Sequence, residues 1–152
     1  MADIEGLHHV TAIAGEPQTN INFYTGVLGL RLVKVTVNFD DPTTYHLYYG
    51  DGQGHPGTIM TFFPWPGAFK GRIGTGQLNV TSFAVPEKAL PYWRKRLNKS
   101  GVEFEEATSD FGEEMLFLGT YQLPGCGTRS YLGAWPGADR PCNSWVPPCN
   151  AL

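Results

Sequence analysis

The chain has 152 residues, 41% of them hydrophobic and 16% charged, with a formal net charge of -3. That size and balance suit one globular domain, or two small modules sharing a core, and they exclude a disordered chain. The basic cluster Arg94-Lys95-Arg96 is too short for a nucleic-acid footprint, and no apolar run approaches the roughly 20 residues that span a bilayer.

Leu7 to Ala14 reads as a strand, and it carries the unusual pair His8-His9. Alternation puts Leu7, His9, Thr11 and Ile13 on one face and His8, Val10 and Ala12 on the other. Only one of the two imidazoles can readily face a given metal. Pro17 to Leu28 reads as a helix with Ile21, Tyr24 and Leu28 on one stripe, closed by Gly29. Strands follow at Leu30 to Val37, Thr44 to Tyr49 and Thr58 to Phe63, with a glycine-rich loop from Gly50 to Gly57. His55 in that loop is expected to face solvent.

The pattern then recurs. Gln77 to Val85 is strand-like, Leu90, Trp93 and Leu97 make a helical stripe, and Val102 to Glu106 and Glu114 to Leu118 are further strands. Leu7-His8-His9-Val10 aligns with Leu78-Asn79-Val80-Thr81, which places Val80 where the first half has His9. The expected fold is α+β: two tandem βαβββ modules over residues 1–72 and 73–118, the second partial. Residues 119–152 hold all three cysteines among Pro, Gly and Trp with no periodic pattern, so this tail is expected to be weakly ordered, with free thiols. The N-terminus lacks the features of a signal peptide, so a cytoplasmic location is expected.

His46 and Tyr48 share a face of the third strand, and Phe63 and Trp65 share a face at the end of the fourth. An aromatic wall with an imidazole suits a phenolic ring, and His46, Tyr48 and Trp65 are the candidate substrate contacts. Phe63 reads as packing. Glu113 and Glu114 read as surface carboxylates.

Gly6-Leu7-His8-His9-Val10-Thr11, the Phe23-Tyr24-Thr25-Gly26-Val27-Leu28-Gly29-Leu30 helix end and the paired modules resemble the vicinal oxygen chelate superfamily of glyoxalases, bleomycin-resistance proteins and extradiol dioxygenases. Tyr45-His46-Leu47-Tyr48-Tyr49-Gly50-Asp51 and Gly57-Thr58-Ile59-Met60-Thr61-Phe62-Phe63-Pro64-Trp65 are similar to the branch that opens hydroquinone rings. The resemblance covers about residues 5–117. It implies Fe(II), with Mn(II) as the alternative, held by two histidines and one glutamate, with dioxygen and an aromatic compound as substrates. His9 maps to the first ligand, and His8 to a catalytic position that tunes the site from behind. The remaining His and Glu belong to a later module of a protein about twice this length, so the chain reads as the N-terminal half of a ring-cleaving dioxygenase that by itself holds no complete metal site. A reading-frame slip or truncation near residue 118 would explain the tail. A homodimer is expected, with no nucleic-acid or membrane partner. The alternatives are a metal-free binding protein of the bleomycin-resistance type, and a glyoxalase-like lyase. The lyase would need a Glu or His at Thr61 or Val80.

Overall fold

A computed structural model describes residues 4, 6–69, 75–76, 80–110, 112–118 and 129–134. The first half runs β1 (His9–Ala14), α1 (Pro17–Ile21), β2 (Arg31–Val37), β3 (Tyr45–Gly50) and β4 (Ile59–Pro64). Its sheet has the order β1-β4-β3-β2, with β1 and β4 parallel and the other pairs antiparallel. The second half runs β5 (Val80–Val85), α2 (Leu90–Lys99), β6 (Glu105–Thr108), β7 (Glu114–Phe117) and β8 (Arg129–Ala134), and its sheet has the matching order β5-β8-β7-β6. Two βαβββ modules are therefore in place, each with its helix on one face of the sheet. Among the described residues, no helix is long and apolar enough to cross a membrane.

Two expectations need correction. The second module does not end at residue 118, and its tail is not patternless throughout. β8 lies at 129–134 and pairs with both β5 and β7, which completes the sheet. Ser130, Leu132 and Ala134 turn inward from β8, with Leu132 only 2% exposed. The small residues Ser130, Gly133 and Ala134 blunt the alternation, and the surrounding Pro and Gly hide it. The rest of that tail, with its three cysteines, lies outside the described residues.

The helix expected over Pro17 to Leu28 is α-helical only to Ile21. Asn22–Val27 winds as a π-helix, and the Leu28 N–H donates to Phe23 O at 3.0 Å. The wider turn lets the sequence neighbours Phe23 and Tyr24 both enter the core, beside the buried Asn20 and Leu28. Gly29 then takes φ +75°, a left-handed conformation suited to glycine, and the chain turns into β2.

The core is continuous across the two modules. Tyr24, Tyr49 and Phe62 pack together on the helix side of the first sheet, with Tyr24 to Tyr49 at 5.0 Å and Tyr24 to Phe62 at 4.6 Å between ring centroids. Leu28 and Leu30 meet Phe83, Val85, Trp93 and Leu132 of the second module. Burying these side chains, each worth about 1.5–3 kcal/mol, sets which sheet face is left open.

Candidate active site

In β1, Ala12 and Ala14 are buried while His9, Thr11 and Ile13 are exposed. The helix covers the even-numbered side, so His9 points from the opposite, open face. Strand register carries that face across the sheet: Thr11 is level with Thr61, Thr61 with Tyr48, and Lys34 with Tyr48. His46, Phe63 and Ile59 fall on the same side by alternation.

These side chains are tied together. Thr11 Oγ1 lies 2.8 Å from Thr61 Oγ1, and Thr61 Oγ1 lies 3.0 Å from His46 Nε2. The Tyr48 hydroxyl is 3.0 Å from His46 Nδ1. The His46 ring packs against those of Phe63 and Tyr48, tilted by 33° and 38°, with centroids at 4.0 and 4.2 Å. Lys34 Nζ hangs 5.7 Å over the Tyr48 ring. Burial first, then the charges of His9 and Lys34, hold the His46 imidazole below the ordinary histidine range, so it is neutral at physiological pH.

His8 and His9 meet edge to face, with their Nδ1 atoms 3.0 Å apart. One nitrogen must donate and the other accept. If His9 donates through Nδ1, its Nε2 keeps a free lone pair, the arrangement a metal-binding histidine needs. His8 is then the acceptor that orients His9. The Gly57 N–H fixes the backbone here, donating to His8 O at 2.8 Å. Gly57 has φ +84°, and a Cβ there would come 3.3 Å from Leu7 O, so this approach needs glycine.

The loop that delivers Gly57 is held by Asp51, whose side chain is 1% exposed. Its Oδ1 accepts the N–H groups of Gln53, Gly54 and His55 at 3.0, 2.6 and 3.1 Å, and its Oδ2 meets His55 Nδ1 at 2.6 Å. Burial pushes the Asp51 carboxyl up, but the hydrogen bonds from the His55 side chain and the three N–H groups outweigh it, and the net shift is downward from 3.8. A carboxylate depressed by folding adds stability that is present above the unfolded value and lost as pH falls through the folded one. Thermal melting from about pH 5 to about pH 3 should therefore show a falling midpoint. Asp51→Asn should flatten that slope and cost about 1–3 kcal/mol at neutral pH. A slope unchanged by Asp51→Asn would reject this role.

Of the residues singled out from the sequence, His9, His46 and Tyr48 share the open face, and His8 backs His9. Trp65 stands apart. Its Nε1 donates to Thr44 Oγ1 at 2.9 Å, which anchors the indole to the turn before β3. His55 is exposed as a residue, but its ring is bound to Asp51. Glu113 accepts from Ser109 Oγ at 3.0 Å, and Glu114 lies 3.5 Å from Arg94. Thr11, Thr61 and Lys34 are site neighbours to which the sequence assigned no role, and Phe63, read there as packing, lies on the same face against His46. Threonine and phenylalanine are ordinary strand residues, and only the register exposes their role. Among the described residues, no group of three or more His, Cys, Asp or Glu gathers as a metal site.

The second sheet shows how particular this face is. Its register places Val80, Ser82, Met115, Phe117 and Tyr131 where the first has His9, Thr11, His46, Tyr48 and Thr61. The imidazoles are gone, and Phe117 and Tyr131 stack at 4.7 Å instead. Residues 6–118 fit the model of the Glyoxalase/Bleomycin resistance protein/Dioxygenase superfamily.

The chain belongs to that superfamily. Within it, the chain is 58% identical over 121 residues to the "Putative ring-cleaving dioxygenase MhqE" of Bacillus subtilis, a match covering 79% of this chain and 40% of the relative. It is 37% identical over 126 residues to the chlorohydroquinone/hydroquinone 1,2-dioxygenase of Sphingobium indicum, covering 82% of this chain and 38% of that protein. A solved structure of a "putative dioxygenase" from Bacillus subtilis superposes with a TM-score of 0.78 at 52% identity, over 86% of this chain and 40% of the other. The chain thus spans about 40% of the length of these superfamily relatives.

Proposed function

We propose that the chain forms part of a ring-cleaving dioxygenase for hydroquinone- or catechol-like aromatics. Its metal is Fe(II), with Mn(II) the alternative, and dioxygen is the second substrate. One observation carries this reading: the chain is 58% identical over 121 residues to a protein named a putative ring-cleaving dioxygenase, and the superfamily match over residues 6–118 takes in the His8-His9 strand and the whole first sheet. The face geometry supports it. Phe63, His46 and Tyr48 offer a close-packed, half-apolar aromatic wall for a planar ring, with polar tips that can meet its hydroxyl groups.

His9 fits one position of a two-histidine, one-carboxylate set, with His8 holding its ring. The described residues do not fit the other two positions, and a complete iron site needs ligands from beyond them. The work of this chain's own residues is to seat the ring, keep His46 neutral and orient His9.

Because a complete iron site needs ligands beyond the described residues, the test is made on the larger protein of which the chain is proposed to form part: anaerobic calorimetry with hydroquinone, with and without Fe(II), together with oxygen uptake. Hydroquinone binding is expected to tighten when Fe(II) is added, and His9→Ala is expected to remove that gain. His46→Ala should weaken the metal-free binding about tenfold, as loss of one buried hydrogen-bonding contact would. No metal-dependent gain, together with no oxygen uptake above autoxidation, would reject the dioxygenase reading.

A further inference from the structure

Thr61 is wholly buried at the centre of β4, yet its hydroxyl joins two side chains of the open face. The resulting row runs Thr11, Thr61, His46, Tyr48. Three hydroxyls and a neutral imidazole bring one proton each, and the row contains three hydrogen bonds, so one proton is left over.

Acidity and burial decide which group keeps it. The neutral His46 ring has a single acceptor nitrogen, for which Tyr48 and Thr61 compete. A phenol, with a pKa of about 10, is far more acidic than an alkyl alcohol and the stronger donor. Tyr48 therefore donates to Nδ1 and Nε2–H donates to Thr61; if Thr61 accepted from Thr11 as well, its own proton would be left unpaired in a wholly buried hydroxyl, so Thr61 donates to the exposed Thr11. The unspent proton belongs to Thr11, on the exposed end, two residues along the same face from His9. Each bond in such a chain polarises the next, so the terminal hydroxyl is a better donor than an isolated threonine. The second sheet cannot build this row, because Met115 and Phe117 occupy the places of His46 and Tyr48.

We propose that Thr61 is the positioning residue that locks this polarity, so that Thr11 presents a hydroxyl proton to the anionic oxygen of a phenolate seated beside His9. The inference rests on the aromatic-site reading above and adds to it the ionisation state of the ligand and the group that recognises it.

The test uses two probes that differ by one hydroxyl, 4-nitrophenol and nitrobenzene, with the wild-type chain, Thr61→Val, Thr61→Ser and Thr11→Val. Wild type should bind 4-nitrophenol in its ionised form, visible as the yellow chromophore. Thr61→Val keeps the side-chain shape but removes both bonds, and should weaken 4-nitrophenolate binding about tenfold with nitrobenzene unchanged. Thr61→Ser should restore it. Thr11→Val, at an exposed position where folding is not at stake, should repeat the loss. Nitrogen-15 NMR should show His46 as the Nε2–H tautomer in wild type and Thr61→Ser, and mixed in Thr61→Val. Equal losses for both probes, no loss in either valine variant, or an Nδ1–H tautomer in wild type would overturn the proposal. If neither probe binds, the aromatic-site reading falls and takes the phenolate with it, while the tautomer would still report on the polarity of the row.

Discussion

Phe62→Ala is expected to lower the unfolding free energy by about 3–5 kcal/mol, measurable as a shift in the urea midpoint at constant m. Phe62 is 0% exposed on the helix side of β4 and lies 4.6 Å from Tyr24 and 5.9 Å from Tyr49 between ring centroids. Leu47 stands opposite it on β3. Truncation removes a full ring from a tightly packed site whose neighbours are themselves rigid rings, so little collapse can fill the cavity. Against a typical total of about 5–15 kcal/mol, that loss leaves a marginal domain. The effect reaches the site, because the next residue along β4 is Thr61, facing the other way. A strand that sags towards the cavity lengthens the Thr61 to His46 bond, and the His46 ring resonances should broaden. A loss under about 1 kcal/mol would mean that the inner face of β4 is not packed as described.

The same strand shows what was legible in the sequence. Ile59 to Pro64 is a continuous apolar run broken by Thr61, and as a strand it is plain from β-branched and aromatic content. What a threonine does there is not plain, because its hydroxyl matters only through Thr11, 50 positions away, and His46, 15 positions away. His9 could be placed on a face from alternation within its own strand, and that placement holds on the open face. His46 and Tyr48 were legible as a pair for the same reason. Trp65 was less legible, since its position past the strand end frees it from alternation and lets the indole reach Thr44. β8 was hidden by composition, and its identity as a strand comes from pairing with β5 and β7 rather than from its own pattern. Period-two readings succeed where one strand supplies the answer. They fail where pairing between distant strands does.

Arg96→Ala is expected to cost about 2–4 kcal/mol, because this side chain ties the two modules together. Its Nε donates to Val27 O at 2.6 Å and its Nη2 to Gly26 O at 2.8 Å, while Nη1 donates to the Tyr92 hydroxyl at 2.9 Å. Gly26 and Val27 close the π-helix of the first module, where the last carbonyls have no partner within the helix and carry its negative end. A guanidinium answers both needs with a planar fork, and its carbon also lies 5.8 Å over the Trp93 ring. Lysine offers a point charge without the fork, so Arg96→Lys should recover only part of the loss. Without the fork, two carbonyls lose their partners just where Leu28 and Leu30 enter the shared core. The expected signature is therefore a lower thermal midpoint together with a broader transition, as the modules begin to melt separately. A sharp transition at the wild-type midpoint in Arg96→Ala would show that the apolar contacts of Leu28 and Leu30 with the second module couple the halves unaided.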